Sequence, residues 1–147
     1  MIEIAMKSTI WKAASLTLLM IAICPLANAA DRTEPTLSSA EVAVISRQIA
    51  TLRSPTDRSV AQEWSNAKKV AELICRPVAL PALKKQIKET DRVFLGTDAP
   101  QSLTLESDRR LAGSGQARTP QGWQDFTFTC NLNPSTGKVI DLQIHLN

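Results

Sequence analysis

Apolar residues recur at helical spacing from Leu37 to Ile74 and at every second position from Asp91 to the C terminus, so the chain predicts helices first and strands second. Ser38 with Glu41 three residues on forms a capping box, and Leu37 with Val42 forms a hydrophobic staple, so two independent signals start the first helix at Ser38. Val42, Ile45, Ile49 and Leu52 then line one face. Ser54, Pro55 and Asp57 start a second helix with a cap, a proline at the first helical position and an acid in the first turn. Val60, Trp64, Ala67, Ala71 and Ile74 form its buried face, and the short connection makes the two helices a hairpin. Arg76-Pro77 ends this helix just after Cys75, because proline disfavours helical geometry in the residue before it and cannot continue the ladder. A third, shorter helix is expected from Pro81 to about Glu89, with Leu83 and Ile87 on one side and Lys84, Lys85 and Lys88 on a solvated one.

Beyond Asp91, Gly, Pro and Asn divide the chain into candidate strands at 92–95, 102–107, 110–118, 123–132 and 138–146. Phe126, Phe128, Cys130 and Leu132 alternate with Asp125, Thr127, Thr129 and Asn131; Ile140, Leu142, Ile144 and Leu146 alternate with Asp141, Gln143 and His145. Each strand has a wet and a dry face, as in an antiparallel sheet covered on a single side. Turns fall at Thr119 to Gly122 and Asn133 to Gly137. The expected fold class is α+β: an N-terminal helical hairpin plus a short third helix, packed on one face of an antiparallel β-meander.

The front of the chain carries a different pattern. Met1 to Lys12 is weakly basic, Ala13 to Leu26 is an apolar run, and Ala27-Asn28-Ala29 is a small-x-small cleavage signal. The run is shorter than the roughly 20 residues a bilayer span needs, and Ile23 stands where a lipobox wants Gly or Ala. Residues 1–29 are therefore expected to be a signal peptide, cleaved after Ala29 or Ala30, 30–37 a flexible lead, and 38–147 a single domain with no transmembrane segment in the mature form. Cys24 departs with the leader. Cys75 and Cys130 remain, an even pair in a periplasmic or secreted compartment where disulfides persist, and they are expected to bond. A bridge closing about 55 residues contributes roughly 4 kcal/mol in the chain-entropy model.

Composition narrows the function more than it names it. With 17 basic and 14 acidic side chains the net charge is +3, too small to argue for a nucleic acid or a membrane surface. The sequence contains no Tyr, and beyond the leader its aromatic residues are Trp64, Trp123, Phe94, Phe126 and Phe128. One His and two widely separated cysteines give no metal-ligand spacing, and no cofactor motif is visible.

The stretch Gly122-Trp123-Gln124-Asp125-Phe126-Thr127-Phe128-Thr129-Cys130, followed by Gly137-Lys138-Val139, resembles a small bacterial secreted family catalogued as domain of unknown function 930. Similar features are an upstream Cys at a helix end, a Trp-containing strand leading to Phe-x-Cys, and a terminal strand opening near Lys-Val. The resemblance runs from about Ile74 to the C terminus. It implies an exported disulfide domain and assigns no catalytic residue.

Three groups of residues are candidates for chemistry. Trp123 alternates onto the wet face with Asp125, where an indole can stack on a sugar or a peptide unless Gly122 begins a bulge that turns it inward. One allowed register of the last two strands sets Leu132 opposite Lys138 and Asp125 opposite His145, placing the imidazole beside a carboxylate; the plainer reading is a cross-strand polar pair. Arg109 and Arg110, before Gly113-Ser114-Gly115, offer guanidiniums beside flexible backbone, or simply a solvated turn. The expected function is an exported, non-enzymatic binding or interaction module, possessing no cofactor and presenting its open sheet face to a protein or other envelope component rather than to a small molecule or nucleic acid. An inhibitor or accessory protein of the cell envelope is the concrete form of this reading; the competing one is an envelope enzyme using the Asp125/His145 pair.

Overall fold

The computed structural model describes residues 33–147, and the expected signal peptide lies outside them. Five antiparallel strands form one sheet: β1 (Arg92–Leu95), β2 (Leu103–Ser107), β3 (Arg110–Thr119), β4 (Gly122–Asn133) and β5 (Lys138–Leu146). β3, β4 and β5 follow one another as a meander. β1 pairs with Gly115–Arg118 of β3 and β2 pairs with Arg110–Gly113, so the two short strands lie end to end along the same edge of β3. Between them, residues 96–102 leave the sheet. Ser114 pins both ends of this excursion, its carbonyl accepting from Gly96 N at 2.8 Å and its N–H donating to Ser102 O at 3.0 Å.

Helices cover one face, making the α+β architecture that the two sequence periods imply. They are α1 (Ser39–Thr51), α2 (Pro55–Glu63), α3 (Asn66–Val70) and α4 (Arg76–Gln86), with a π-helical turn over Ala71–Cys75. The capping box at Ser38 and Glu41 is formed in both directions, and Ser54 caps α2 through the Thr56 and Asp57 N–H groups. Ile45 and Ile49 are buried as the first stripe requires, whereas Val42 stays half exposed.

The second helix departs from expectation in two places. It breaks at Trp64, whose backbone is extended, and Val60 is half exposed instead of buried. The break is stabilised from a distance: Glu34 accepts from Asn66 N at 2.6 Å and Ala67 N at 2.8 Å, Ser65 Oγ accepts from Lys68 N at 3.2 Å, and Asn66 Nδ2 donates to Pro35 O at 3.0 Å. Three donors that a helix start leaves orphaned are thereby satisfied, partly by the stretch expected to be a flexible lead.

The second departure is that Pro77 does not end the helix. Over Ala71–Cys75 the backbone widens, and Arg76 N–H bonds to Ala71 O five residues back. Such a turn inserts a residue into the ladder, and Pro77 then falls in the first turn of α4, where its missing N–H is tolerated. Pro81, expected to open a third helix, is instead inside α4 on an exposed side. The result is one helix running past both prolines, with Ala79 and Leu83 fully buried and contacts to both β1 and β5.

Between the layers, Ile74, Ala79 and Leu83 meet Leu95, Leu111, Phe126, Phe128 and Leu132 in one continuous core. Phe126 lies over Gly115, where an added Cβ would stand 2.6 Å from the ring and 2.5 Å from Phe94 O. Only a residue without a side chain admits that ring. Cys75, in the π-turn, and Cys130, in the C-terminal part of β4, are both fully buried and disulfide-bonded, with Cα atoms 6.3 Å apart. The bond ties the helical layer to the middle of the sheet.

Glu41 is also fully buried. Its Oε2 accepts from Ser38 N at 2.8 Å, while Oε1 has no partner among the described residues. Burial pushes its pKa up, a shift reinforced by the nearby Asp108 carboxylate and opposed by the two bonds to Ser38. The β4–β5 turn closes over it: Gly137, at φ +66°, lies so near α1 that a Cβ there would stand 2.7 Å from Ala40 O.

Two outcomes follow. Thiol-blocking mass spectrometry of unreduced protein should find neither Cys75 nor Cys130 alkylated, and replacing both with Ala should cost about 2–5 kcal/mol in denaturant unfolding. For Glu41, the folded pKa stands above the unfolded value, so its favourable contribution is complete below the ordinary glutamate range and lost as pH rises through the folded value. Relative to Glu41→Gln, the wild-type protein should therefore gain stability as pH falls from neutral toward that range, as measured by denaturant midpoints across pH.

Candidate functional site

Among the described residues helices occupy only the dry side and none covers the opposite sheet face, whose most apolar feature is an aromatic pair. Trp123, the second residue of β4, is 50% exposed; Phe94, in β1, is 41% exposed. Both belong to the wet set of their strands, because Val93 and Leu95 beside Phe94 and Phe126 further along β4 take the buried positions. Their rings reach toward each other across β3, with centroids 5.5 Å apart and planes tilted by 32°. Gly122, the first residue of the strand, adopts φ +123° without turning the indole inward.

Polar pairs flank the rings on the same face. Gln116, opposite both Phe94 and Asp125 in the ladder, donates Nε2–H to Asp125 Oδ1 at 2.8 Å. Arg118, opposite Trp123, is bidentate on Asp91 at 2.8 and 2.6 Å. That guanidinium holds the Asp91 carboxyl below the usual carboxylate range, and the carboxylate in turn raises Arg118. Phe94 and Gln116 also line a groove of about 720 Å³, together with residues of the 96–102 excursion, Leu103 and Lys68 of α3.

The other candidates are placed elsewhere. Asp125 and His145 do not face each other. An extra residue, Ile140, bulges from β5 between the Asn131–Asp141 and Leu132–Val139 pairs, and the register beyond it sets His145 opposite Thr127. Beyond the bulge the two-residue difference from the expected register keeps Leu142 and Ile144 toward the core, whereas Ile140, expected on the dry face, is 67% exposed and Val139 packs against the core in its stead. No hydrogen bond joins Asp125 to His145, and the Asp125 carboxylate is taken by Gln116.

Arg109 and Arg110 lie at the far end of β3 from Trp123. Arg110 is paired with Glu106 at 3.0 Å with both side chains half exposed, and Arg109 is exposed on the turn. The glycines beyond them are filled against Ser102 O and Phe126, so they leave no open backbone cradle. Phe94, Gln116 and the Arg118–Asp91 pair were not anticipated. Phe94 was legible in part, since its apolar neighbours in β1 assign it the wet face, but nothing local pairs β1 with β3.

Among the described residues, no three of His, Cys, Asp and Glu form a group suited to a metal ion, and no helix is long and apolar enough to cross a membrane. No family model, curated protein or solved structure matches this chain, so the reading of its site rests on geometry and chemistry. His145→Ala should change unfolding free energy by less than about 0.5 kcal/mol, as for an exposed residue without partners, when measured by chemical denaturation.

Proposed function

We propose that the protein is an exported, disulfide-held interaction module of the cell envelope, periplasmic or secreted, acting as an inhibitor or accessory protein and not as an enzyme. Its leader has the composition of a signal peptide, and its two remaining cysteines suit an oxidising compartment. Membership of the family catalogued as domain of unknown function 930 belongs to the same proposal. The single observation that carries the binding reading is the half-exposed Trp123–Phe94 pair on the uncovered face. Paired aromatic rings left in solvent give up burial that a core position would supply, and aromatic residues dominate the energetics of contact surfaces. A pre-formed sheet held by a disulfide also loses little freedom on association. The separation of His145 from Asp125 weighs against the catalytic alternative.

The test is retention of envelope components on the immobilised oxidised protein. Trp123→Ala should lose the retained component by about 2 kcal/mol in affinity, the scale of an aromatic anchor, while His145→Ala retains it. Retention indifferent to Trp123, or a turnover activity lost with His145, overturns the reading; recovery of the protein solely from the cytoplasmic fraction overturns the export.

A further inference from the structure

Phe94 belongs both to the aromatic pair and to the groove, and Gln116 joins the groove to the Asp125 carboxylate, so these features make one continuous surface. We propose that this surface binds a neutral glycan chain, its pyranose rings lying on Trp123 and Phe94 and its hydroxyls meeting Gln116, Asp125 and the polar wall of the groove. The proposal rests on the open face being the contact surface and narrows it to one ligand class.

Pyranose rings have an apolar face of C–H groups and a rim of hydroxyls. The first needs an aromatic face, whose quadrupole is negative above the ring and attracts C–H hydrogens. Two tilted, half-exposed rings side by side provide it. The rim needs donors and acceptors at fixed spacing. The Gln116 amide held against the Asp125 carboxylate supplies both kinds, with the pairing setting their orientation.

Charge separates this ligand from polyanions and charged peptides. The guanidinium beside Trp123 is already bidentate on Asp91, and Lys68 at the groove is paired with Glu72 at 2.8 Å. The groove lining carries Lys68 and Asp98, one charge of each sign. Arg92, exposed on the same face opposite Arg118, and Asp125 add one further charge of each sign, so no concentrated field attracts a charged chain, and a polyol needs none.

The groove wall is also ordered before any ligand arrives. Ser102 Oγ accepts from Thr97 N at 3.0 Å and donates to Thr97 O at 2.9 Å, while Thr97 Oγ1 accepts from Ala99 N at 3.2 Å. These bonds close the excursion on itself, which lowers the ordering cost of binding.

The experiment titrates the oxidised protein with soluble β-linked glucose and N-acetylglucosamine oligomers, following amide chemical shifts, and measures co-sedimentation with cellulose, chitin and peptide-free cell-wall glycan strands. A proline-rich peptide forms a separate arm. At least one glycan should bind saturably, with shifts centred on Phe94, Gln116 and Trp123. Trp123→Ala should weaken that binding by about tenfold or more, the scale of losing one stacked ring. Trp123→Phe should recover part of it, and Arg109→Ala, at the far end of the sheet, should leave it unchanged. Absence of saturable binding to every glycan, or binding indifferent to Trp123, overturns the proposal. Trp123-dependent binding of the peptide alone overturns the glycan while keeping the open face as the contact surface; loss of Trp123-dependent binding to any envelope component sinks both.

Discussion

The bond between Cys75 and Cys130 is the constraint on which the two-layer arrangement depends. It joins the widened turn of the helical segment to the C-terminal part of β4, and both cysteines are buried between the layers. Closing 55 residues, it removes loop freedom from the unfolded chain worth about 4 kcal/mol, a large part of the net stability of a domain this size. Aliphatic side chains do most of the remaining packing. With Phe126 and Phe128 the only buried aromatics among the described residues, the core gains from close fit, as where Phe126 fills the space over Gly115.

A sheet clamped to helices on one side has a second side that none of the described residues covers. The wet face is mostly Thr, Ser, Gln and charged residues, which satisfy themselves in water. Against that background the Trp123–Phe94 pair and its flanking polar pairs concentrate the chemistry at one end, next to the interruption between β1 and β2. Fold and site are thus linked: the excursion that splits the edge strand also builds the groove wall beside the rings.

Much of the fold was legible because its causes are local. The Ser38–Glu41 and Ser54 caps involve residues two or three apart, and the period-two strands at 92–95 and 138–146 appear with the expected bounds. The break at Trp64 was not legible, because Glu34 reaches more than thirty residues along the chain to cap α3. Nor was the passage of the helix through Pro77, since proline stops a regular ladder but the π-turn before it changes the ladder's spacing.

The candidate site divides the same way. Alternation in β4 placed Trp123 and Asp125 on the open face from sequence alone, and the pair of cysteines expected to bond, Cys75 and Cys130, is bonded. Strand register, by contrast, depends on turn and bulge geometry: the protruding Ile140 separates His145 from Asp125 and gives up its own expected core position to Val139, while Leu142 and Ile144 keep theirs. Bringing Phe94 beside Trp123 required β1 to pair with β3 across an intervening excursion, a non-local choice. Periodicity therefore determined which face most strand side chains take, because it reflects burial along one strand; only tertiary structure decided the exceptions at bulges and helix breaks and which side chains meet on a face, because neighbours across a sheet are chosen by packing between distant segments.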